Sequence, residues 1–322
     1  MKRWAILIAI AGLTAAVFLV LKNNAAAVWQ LMRDEGAGVL LVAAFHLLPL
    51  GCSAGALMML GDAGRRPSFL EFVAARMLRE GVNDLLPAAH IGGVAASARV
   101  LVLRGWRRSE ALAGSLVDIP LEAGSQVVFV MLGVVALLID GRAPHAAMWA
   151  LCGAGLLGIS LAILVHGLRV GAVRAIGRWM RRFASSMAAG DAADEIHTRV
   201  QDLYRHRKRL LIAAGLHLVC WIIGAGEVWL ILNLIGVPCT PAEALILESL
   251  GTAIRSAAFM IPAGLGVQEG GYLLLGAALG ISAPASLALS LTKRVREVLI
   301  GGPALLVWQL FEGHRLARRS LP

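Results

Sequence analysis

Charge is scarce in this chain. Only 16% of its 322 residues are Asp, Glu, Lys or Arg, against 58% hydrophobic, and the mean hydropathy is +0.76. A soluble globular domain carries about 25% charged residues, so this class is excluded. Aromatics are also few, at 6%. They suit anchoring at a membrane interface better than a platform for stacking sugars. Four cysteines (Cys52, Cys152, Cys220 and Cys239) lie far apart, mostly in apolar stretches, and read as small core hydrophobes. The chain has no C-x-x-C or H-x-x-x-H pattern, so no metal or redox spacing is present. The segment GLGVQEGG lacks the G-x-x-x-x-G-K-[ST] spacing, which argues against ATP hydrolysis. Ser and Asp occur without a nucleophile elbow. His46, His90, His166 and His217 are isolated and read as packed or interfacial side chains. No catalytic residue, metal or cofactor is therefore assigned, and the chain does not read as an enzyme.

What the chain has in quantity is long apolar runs. Trp4–Leu21, Val39–Leu60, Leu112–Ile139, Ala146–His166, Leu210–Ile235 and Ala285–Phe311 are each long enough for a span, which needs about 20 residues to cross roughly 30 Å of hydrocarbon. The expected fold is an all-α polytopic membrane protein of about six transmembrane helices. The first run follows Lys2-Arg3 but is longer than a signal-peptide core and ends in no small-residue cleavage site, so it reads as a retained helix.

The formal net charge of +10 is unevenly placed. With the N-terminus in the cytoplasm, Lys2, Arg3, Arg65, Arg66, Arg99, Arg104, Arg107, Arg108, the block 169–209 and Arg315, Arg318 and Arg319 all fall inside. Only Lys22, Arg33 and Arg142 fall in outer loops. This is the positive-inside asymmetry. It predicts a multi-pass membrane protein with both termini cytoplasmic, and a basic face that attracts anionic lipid rather than nucleic acid.

Two segments, 79–122 and 254–297, match at a constant offset of 175 residues. Pro87 aligns with Pro262, Ala88 with Ala263, Gly105 with Gly280, Ser115-Leu116 with Ser290-Leu291, and Glu122 with Glu297. Each segment includes a hydrophobic stretch broken by Pro and Gly. The arm Phe69–Leu86 spans about 27 Å as a helix and Ile91–Leu103 about 20 Å. Pro87 and Gly92-Gly93 lie at the break between them. The spacing predicts a re-entrant hairpin over 69–103 and a second over 242–281, broken at 262–266. Counting crossings gives the two halves, 1–145 and 146–322, opposite insertion. That is the inverted repeat of secondary transporters, whose sites lie where the repeats meet near midplane. The 169–209 segment within the second half reads as basic and cytoplasmic, with amphipathic helices against the membrane.

Charges inside the bilayer cost on the order of 2.5–3.5 kcal/mol each, and so mark function. Here they are Arg79, Glu80, Asp84, Asp118 and Glu122 in the first half. The second half carries Glu227, Glu248, Arg255, Glu269, Lys293, Arg294, Arg296 and Glu297. In the alignment Glu80 falls on Arg255 and Asp118 on Lys293, opposite charges at matching places. The structural alternative is that these ions only neutralise one another. Buried ion pairs stabilise poorly relative to apolar packing, however, so a set this large is hard to explain as glue. At the hairpin tips, helix N-termini beside Pro87, Gly92, Gly93, Pro262, Gly264 and Gly266 offer free N–H groups to an anion. Glu269 reads either as the cap of its own helix or as a coupling group. Asn83 and Gln268 add neutral hydrogen bonds.

Glu80-Gly81-x-x-Asp84-Leu85-Leu86-Pro87 followed by Gly92-Gly93, then Ile261-Pro262-x-Gly264-Leu265-Gly266-Val267-x-Glu269-Gly270 and a basic patch around Arg294, resembles the lysylphosphatidylglycerol synthase transmembrane-region family of flippase-like domains. Length and detail are most similar to its hopanoid-biosynthesis-associated (HpnL) branch. The resemblance implies a lipid translocase in which Arg79, Arg255 and Arg294 bind a polar or anionic head group. Glu80, Asp84, Asp118, Glu269 and Glu297 balance that charge, and one carboxylate exchanges a proton, with Glu122 and Lys293 beside them in the same site. Hopanoid, phospholipid or isoprenoid-linked lipid would be the partner, with no nucleic acid. A homo-oligomer and hopanoid-synthesis enzymes are further partners this leaves open. The alternatives are an intramembrane enzyme modifying lipid head groups and a scaffold for such enzymes. The family's soluble aminoacyltransferase domain has no counterpart in the chain.

Overall fold

The computed structural model describes residues 2–61, 67–86, 91–141, scattered positions within 155–170, 188–258 and 261–319. The described residues form helices and turns, with no strand. Helix α1 (Lys2–Lys22) ends at Asn23-Asn24, where Asn24 takes a left-handed conformation and its Oδ1 accepts from Ala27 N at 3.2 Å. That cap starts α2 (Ala25–Glu35) at 94° to α1. The stretch around Arg33, expected as an outer loop, is therefore helical. The reason is local: Asn supplies both the positive φ and the capping oxygen.

Helix α3 (Gly38–Met59) follows, then α4 (Phe69–Leu85) and α5 (Ile91–Leu103), packed against one another. The N–H of Ser68 donates to Glu71 at 2.8 Å to start α4, as in a capping box. Pro87, between α4 and α5, lies outside the described residues. Helix α6 (Arg108–Asp140) is 33 residues long, about 50 Å at helical rise. The expected span 146–166 lies mostly outside the described residues. Within the basic segment, α7 (Ala188–Arg205) is amphipathic and packs on α6 and α8 (Arg207–Leu234).

The second hairpin begins at Thr240, which exchanges hydrogen bonds with Glu243 (2.9 and 3.2 Å) to cap α9 (Pro241–Ala257). A 3-10 turn (Pro262–Gly264) follows, with positive φ at Ala263, Gly264 and Gly266, and then α10 (Val267–Leu279). Helix α11 (Ala283–Arg319) closes the order. By length and composition α3, α6 and α8 can each cross a membrane, and α1 with α2 adds a fourth, broken span. At 37 residues α11 is long enough, but Lys293, Arg294, Arg296 and Glu297 interrupt its apolar character.

The core is divided. One apolar cluster gathers Val130, Val134 and Leu137 of α6 with Val228, Ile231 and Leu232 of α8 and Ala285, Ala288 and Leu289 of α11. Another gathers Ala111, Ala113 and Val117 of α6 with Phe72 and Ala75 of α4 and Ala213 of α8. Between the two along α6 lie Asp118, Glu122 and Gln126, and along α8 His217, Trp221 and Glu227. On α6 this polar stretch starts about 15 Å from the helix N-terminus and ends about 27 Å along it. A polar layer thus crosses the middle of the bundle, sealed by apolar packing on both sides.

A charged cavity between the hairpins

The hairpin arms bring their charges inward because α4 and α11 approach at two glycines. A Cβ on Gly81 would lie 2.8 Å from the carbonyl oxygen of Gly301, and one on Gly301 would lie 2.7 Å from the Cα of Gly81. Only glycine permits backbones this close. A Cβ on Gly93 of α5 would likewise meet the Arg79 carbonyl oxygen at 2.5 Å, so this glycine sets the closeness of the first hairpin's arms.

A cavity of about 500 Å³ opens in the polar layer, lined from α3, α4, α6, α8, α9, α10 and α11. Of the residues singled out in the sequence, Arg79, Glu80, Asn83, Asp84, Glu122, Arg255, Gln268, Lys293 and Glu297 line it. Arg79 donates to Asp118 (3.2 Å) and Glu122 (2.7 Å). Arg255 joins the hairpins, donating to Asp84 of α4 (2.6 Å), Glu297 of α11 (2.8 Å) and Gln268 of α10 (3.0 Å). Lys293 donates to Glu248 at 2.5 Å. Asn83 keeps a buried Oδ1 with no hydrogen-bond partner among the described residues.

Asp118, Gly92, Gly93, Gly264, Gly266, Glu269 and Arg294 stand outside the cavity lining. Asp118 is buried behind it, held by Arg76, Arg79 and His217 (2.9 Å). Gly264 packs on the Arg255 side chain and Pro262 begins the 3-10 turn. Glu269 acts as a cap: its carboxylate accepts from Gly266 N at 2.7 Å and from Arg294 at 3.2 Å. The α10 N-terminus, read as an anion site, is thus filled by the chain's own carboxylate. Arg294 also donates to Glu297 (3.2 Å) and the Ala263 carbonyl (2.5 Å), which ties the hairpin tip to α11.

The opposite charges matched by the 175-residue offset do not pair with each other. Arg79–Glu122 and Arg255–Glu297 instead repeat one device in each half, a hairpin arginine bound to a carboxylate of a long helix. The site list drawn from sequence missed Arg76, His46, His217, Glu227, Glu248 and Arg296. Glu227, Glu248 and Arg296 stood out as buried charges, and Arg76 lies one helical turn before Arg79 on the same face. The histidines read in the sequence as isolated, packed side chains, and the structure instead gives His46 and His217 carboxylate partners. His46 is a lone polar side chain in an apolar run, yet it contacts Glu227 at 2.5 Å and Glu80 at 3.2 Å.

Asp118, Glu122 and His217 place ligand atoms within 4.8 Å of one another, close enough for a metal ion. Arg76 and Arg79 already deliver two guanidinium groups to those carboxylates, so the cluster balances its charge without one.

The lysylphosphatidylglycerol synthase transmembrane-region model matches residues 4–302. The chain belongs to this family. It is a multi-pass helical membrane protein of a family connected with lipid, and membrane lipid is the partner that connection suggests. Comparison with curated proteins and with solved structures finds no match.

Proposed function

We propose that this protein translocates a lipid across the bacterial inner membrane by admitting its head group to the midplane cavity while the tails stay in the bilayer. One observation carries the reading: a 500 Å³ cavity, within the size range of small-molecule sites, sits between two apolar clusters and is lined by both hairpins. A scaffold has no need of such a space. The repeated arginine–carboxylate device supports the repeat, while the six apolar runs and the charge asymmetry of the sequence support six spans with both termini cytoplasmic.

Charge refines the substrate. The lining cations Arg76, Arg79, Arg255, Lys293 and Arg296 are matched in number by Glu80, Asp84, Glu122, Glu248 and Glu297. Each of those cations is already engaged by a carboxylate. A purely anionic head group would have to evict a carboxylate into a low-dielectric space, at several kcal/mol. A zwitterionic head group exchanges partners one for one, and its hydroxyl or ammonium donors suit Asn83 Oδ1. Within the family resemblance, the lipid is a hopanoid-related or phospholipid species with such a head group.

Reconstitution into liposomes with leaflet-specific probes tests this. The wild type should move a zwitterionic lipid faster than an anionic one. Ala123→Trp, which fills the cavity without removing a charge, should stop both. Unimpaired movement in Ala123→Trp would put the pathway elsewhere. A new lipid species by mass spectrometry would favour the head-group-modifying enzyme. Unchanged lipid distribution with co-purifying hopanoid enzymes would favour the scaffold.

A further inference from the structure

Charge in the polar layer is out of balance in a way that points to one residue. Eight carboxylates (Glu80, Asp84, Asp118, Glu122, Glu227, Glu248, Glu269 and Glu297) face six cations (Arg76, Arg79, Arg255, Lys293, Arg294 and Arg296). Two imidazoles, His46 and His217, lie among them. With every carboxylate ionised the layer is two negative charges in excess, and the imidazoles are the neutral bases placed to offset them.

The two histidines differ in what surrounds them. His217 is buried and donates to Asp118, itself held by two arginines. His46 lines the cavity, and its two ring nitrogens have unequal surroundings. On one side, Nδ1 lies 2.5 Å from Glu227 Oε2, so this nitrogen holds its hydrogen and donates. On the other side, Nε2 lies 3.2 Å from Glu80 Oε2 and also 3.2 Å from Arg296 Nη1. One ring nitrogen cannot serve both. A carboxylate needs an N–H donor there, whereas a guanidinium needs the lone pair. Nε2 therefore stands between two partners, each of which selects one protonation state.

We infer that His46 is the proton-binding site of the cavity and that its partner changes with its charge. This rests on the translocase reading and adds a coupling ion to it. In the neutral state Nδ1–H donates to Glu227 and Nε2 accepts from Arg296. Water in the cavity then delivers a proton to Nε2. The new N–H donates to Glu80, and Arg296 is released from the ring to Glu227, which its Nη2 already meets at 3.3 Å. Deprotonation returns the proton to cavity water and restores the Arg296 contact. Glu80 is the exposed partner, one-third accessible on its side chain, and gives the proton its route.

The groups facing His46 come from three helices besides its own. Glu80 lies on α4, Glu227 on α8 and Arg296 on α11, with Lys293 of α11 4.0 Å from Glu227. The α6 carboxylates Asp118 and Glu122 are taken by Arg76 and Arg79. A change of charge at His46 is thus felt by the first hairpin and by α11 together, the two elements that meet at Gly81 and Gly301.

The test has two independent readouts. Nitrogen-15 histidine spectra of the whole protein in micelles report ring charge directly. His46, assigned through His46→Gln, should pass from a single neutral tautomer to imidazolium between about pH 5 and 8, and Glu80→Gln should lower its midpoint. A ring that holds one charge state across that range, or a midpoint indifferent to Glu80→Gln, overturns the inference whether or not lipid moves. In liposomes, a gradient of about one pH unit should change the wild-type translocation rate by up to about tenfold, and His46→Gln should bring the gradient-on to gradient-off ratio to one. Lipid movement indifferent to the gradient in the wild type would remove His46 as the coupling site and leave the translocase standing. No lipid movement with a normal titration would overturn the translocase and, with it, the coupling role.

Discussion

Arg255→Ala is the substitution that most sharply separates an integral charge network from a decorative one. Arg255 is the joint between the hairpins, bound to Asp84 on α4 and to Glu297 on α11. Removing it leaves two carboxylates behind, and they are unequally served. Glu297 keeps Arg294 at 3.2 Å, whereas Arg255 is the hydrogen-bond partner seen for Asp84 among the described residues. Asp84 is 15% exposed and Glu297 only 2%, so neither is rescued by bulk water. Breaking a buried pair by deleting one partner costs about 3–5 kcal/mol, because the charge left behind is uncompensated. The same argument says where the cost resides. Asp84→Asn removes the stranded charge, so Arg255→Ala with Asp84→Asn should recover about 2 kcal/mol or more of the loss, within the range contacting residues show in double-mutant cycles. The assay is reversible unfolding in mixed micelles of all four members of the cycle. A loss below about 1 kcal/mol for Arg255→Ala would match an exposed, solvated pair. A double variant no better than the single would show that the stranded carboxylate is not what destabilises. Either result refutes the reasoning.

Other outcomes follow from single contacts. Gly81→Leu should cost at least about 1–3 kcal/mol by overpacking the α4–α11 crossing, while Gly302→Ala, whose Cβ meets nothing within 4 Å, should cost nothing in the same unfolding assay and gain up to about 1 kcal/mol from helix propensity. Thr292→Val removes the hydroxyl that donates to the buried Glu35 at 2.5 Å, and should cost about 1–3 kcal/mol in that assay. In the loop before α9, burial and then the Glu243 carboxylate push the Cys239 thiol up to about 11. Because the thiolate is the nucleophile, maleimide should modify Cys239 more slowly than a free cysteine at pH 8 and faster as pH rises, read by peptide mass spectrometry. Modification as fast as free cysteine would contradict the burial.

The hairpins were legible in the sequence because proline and glycine break helices wherever they stand. The arms end at 85 and resume at 91, on either side of Pro87, and end at 257 and resume at 267, on either side of 262–266. Buried charges were legible too, since an apolar chain makes each one conspicuous. Partner choice was not. The 175-residue offset suggested Glu80 with Arg255 and Asp118 with Lys293, but which charges meet depends on helix rotation and crossing geometry, which one sequence does not show. Arg76 and His46 were passed over for the same reason: each gains meaning only from helices far away in the chain, α6 for one and α4, α8 and α11 for the other. The bend between α1 and α2 rests on the backbone of a single asparagine, Asn24, in a stretch whose composition reads as loop.

The central claim is that a lipid head group enters the cavity between the hairpins. A zwitterionic lipid carrying a photoreactive diazirine on its head group, activated in liposomes and mapped by peptide mass spectrometry, tests it most directly. The account predicts adducts on cavity residues such as Ala123, Trp221 and Thr252, competed away by unlabelled zwitterionic lipid. Adducts confined to outward-facing residues such as Leu274 and Leu306, with none in the cavity, would contradict it.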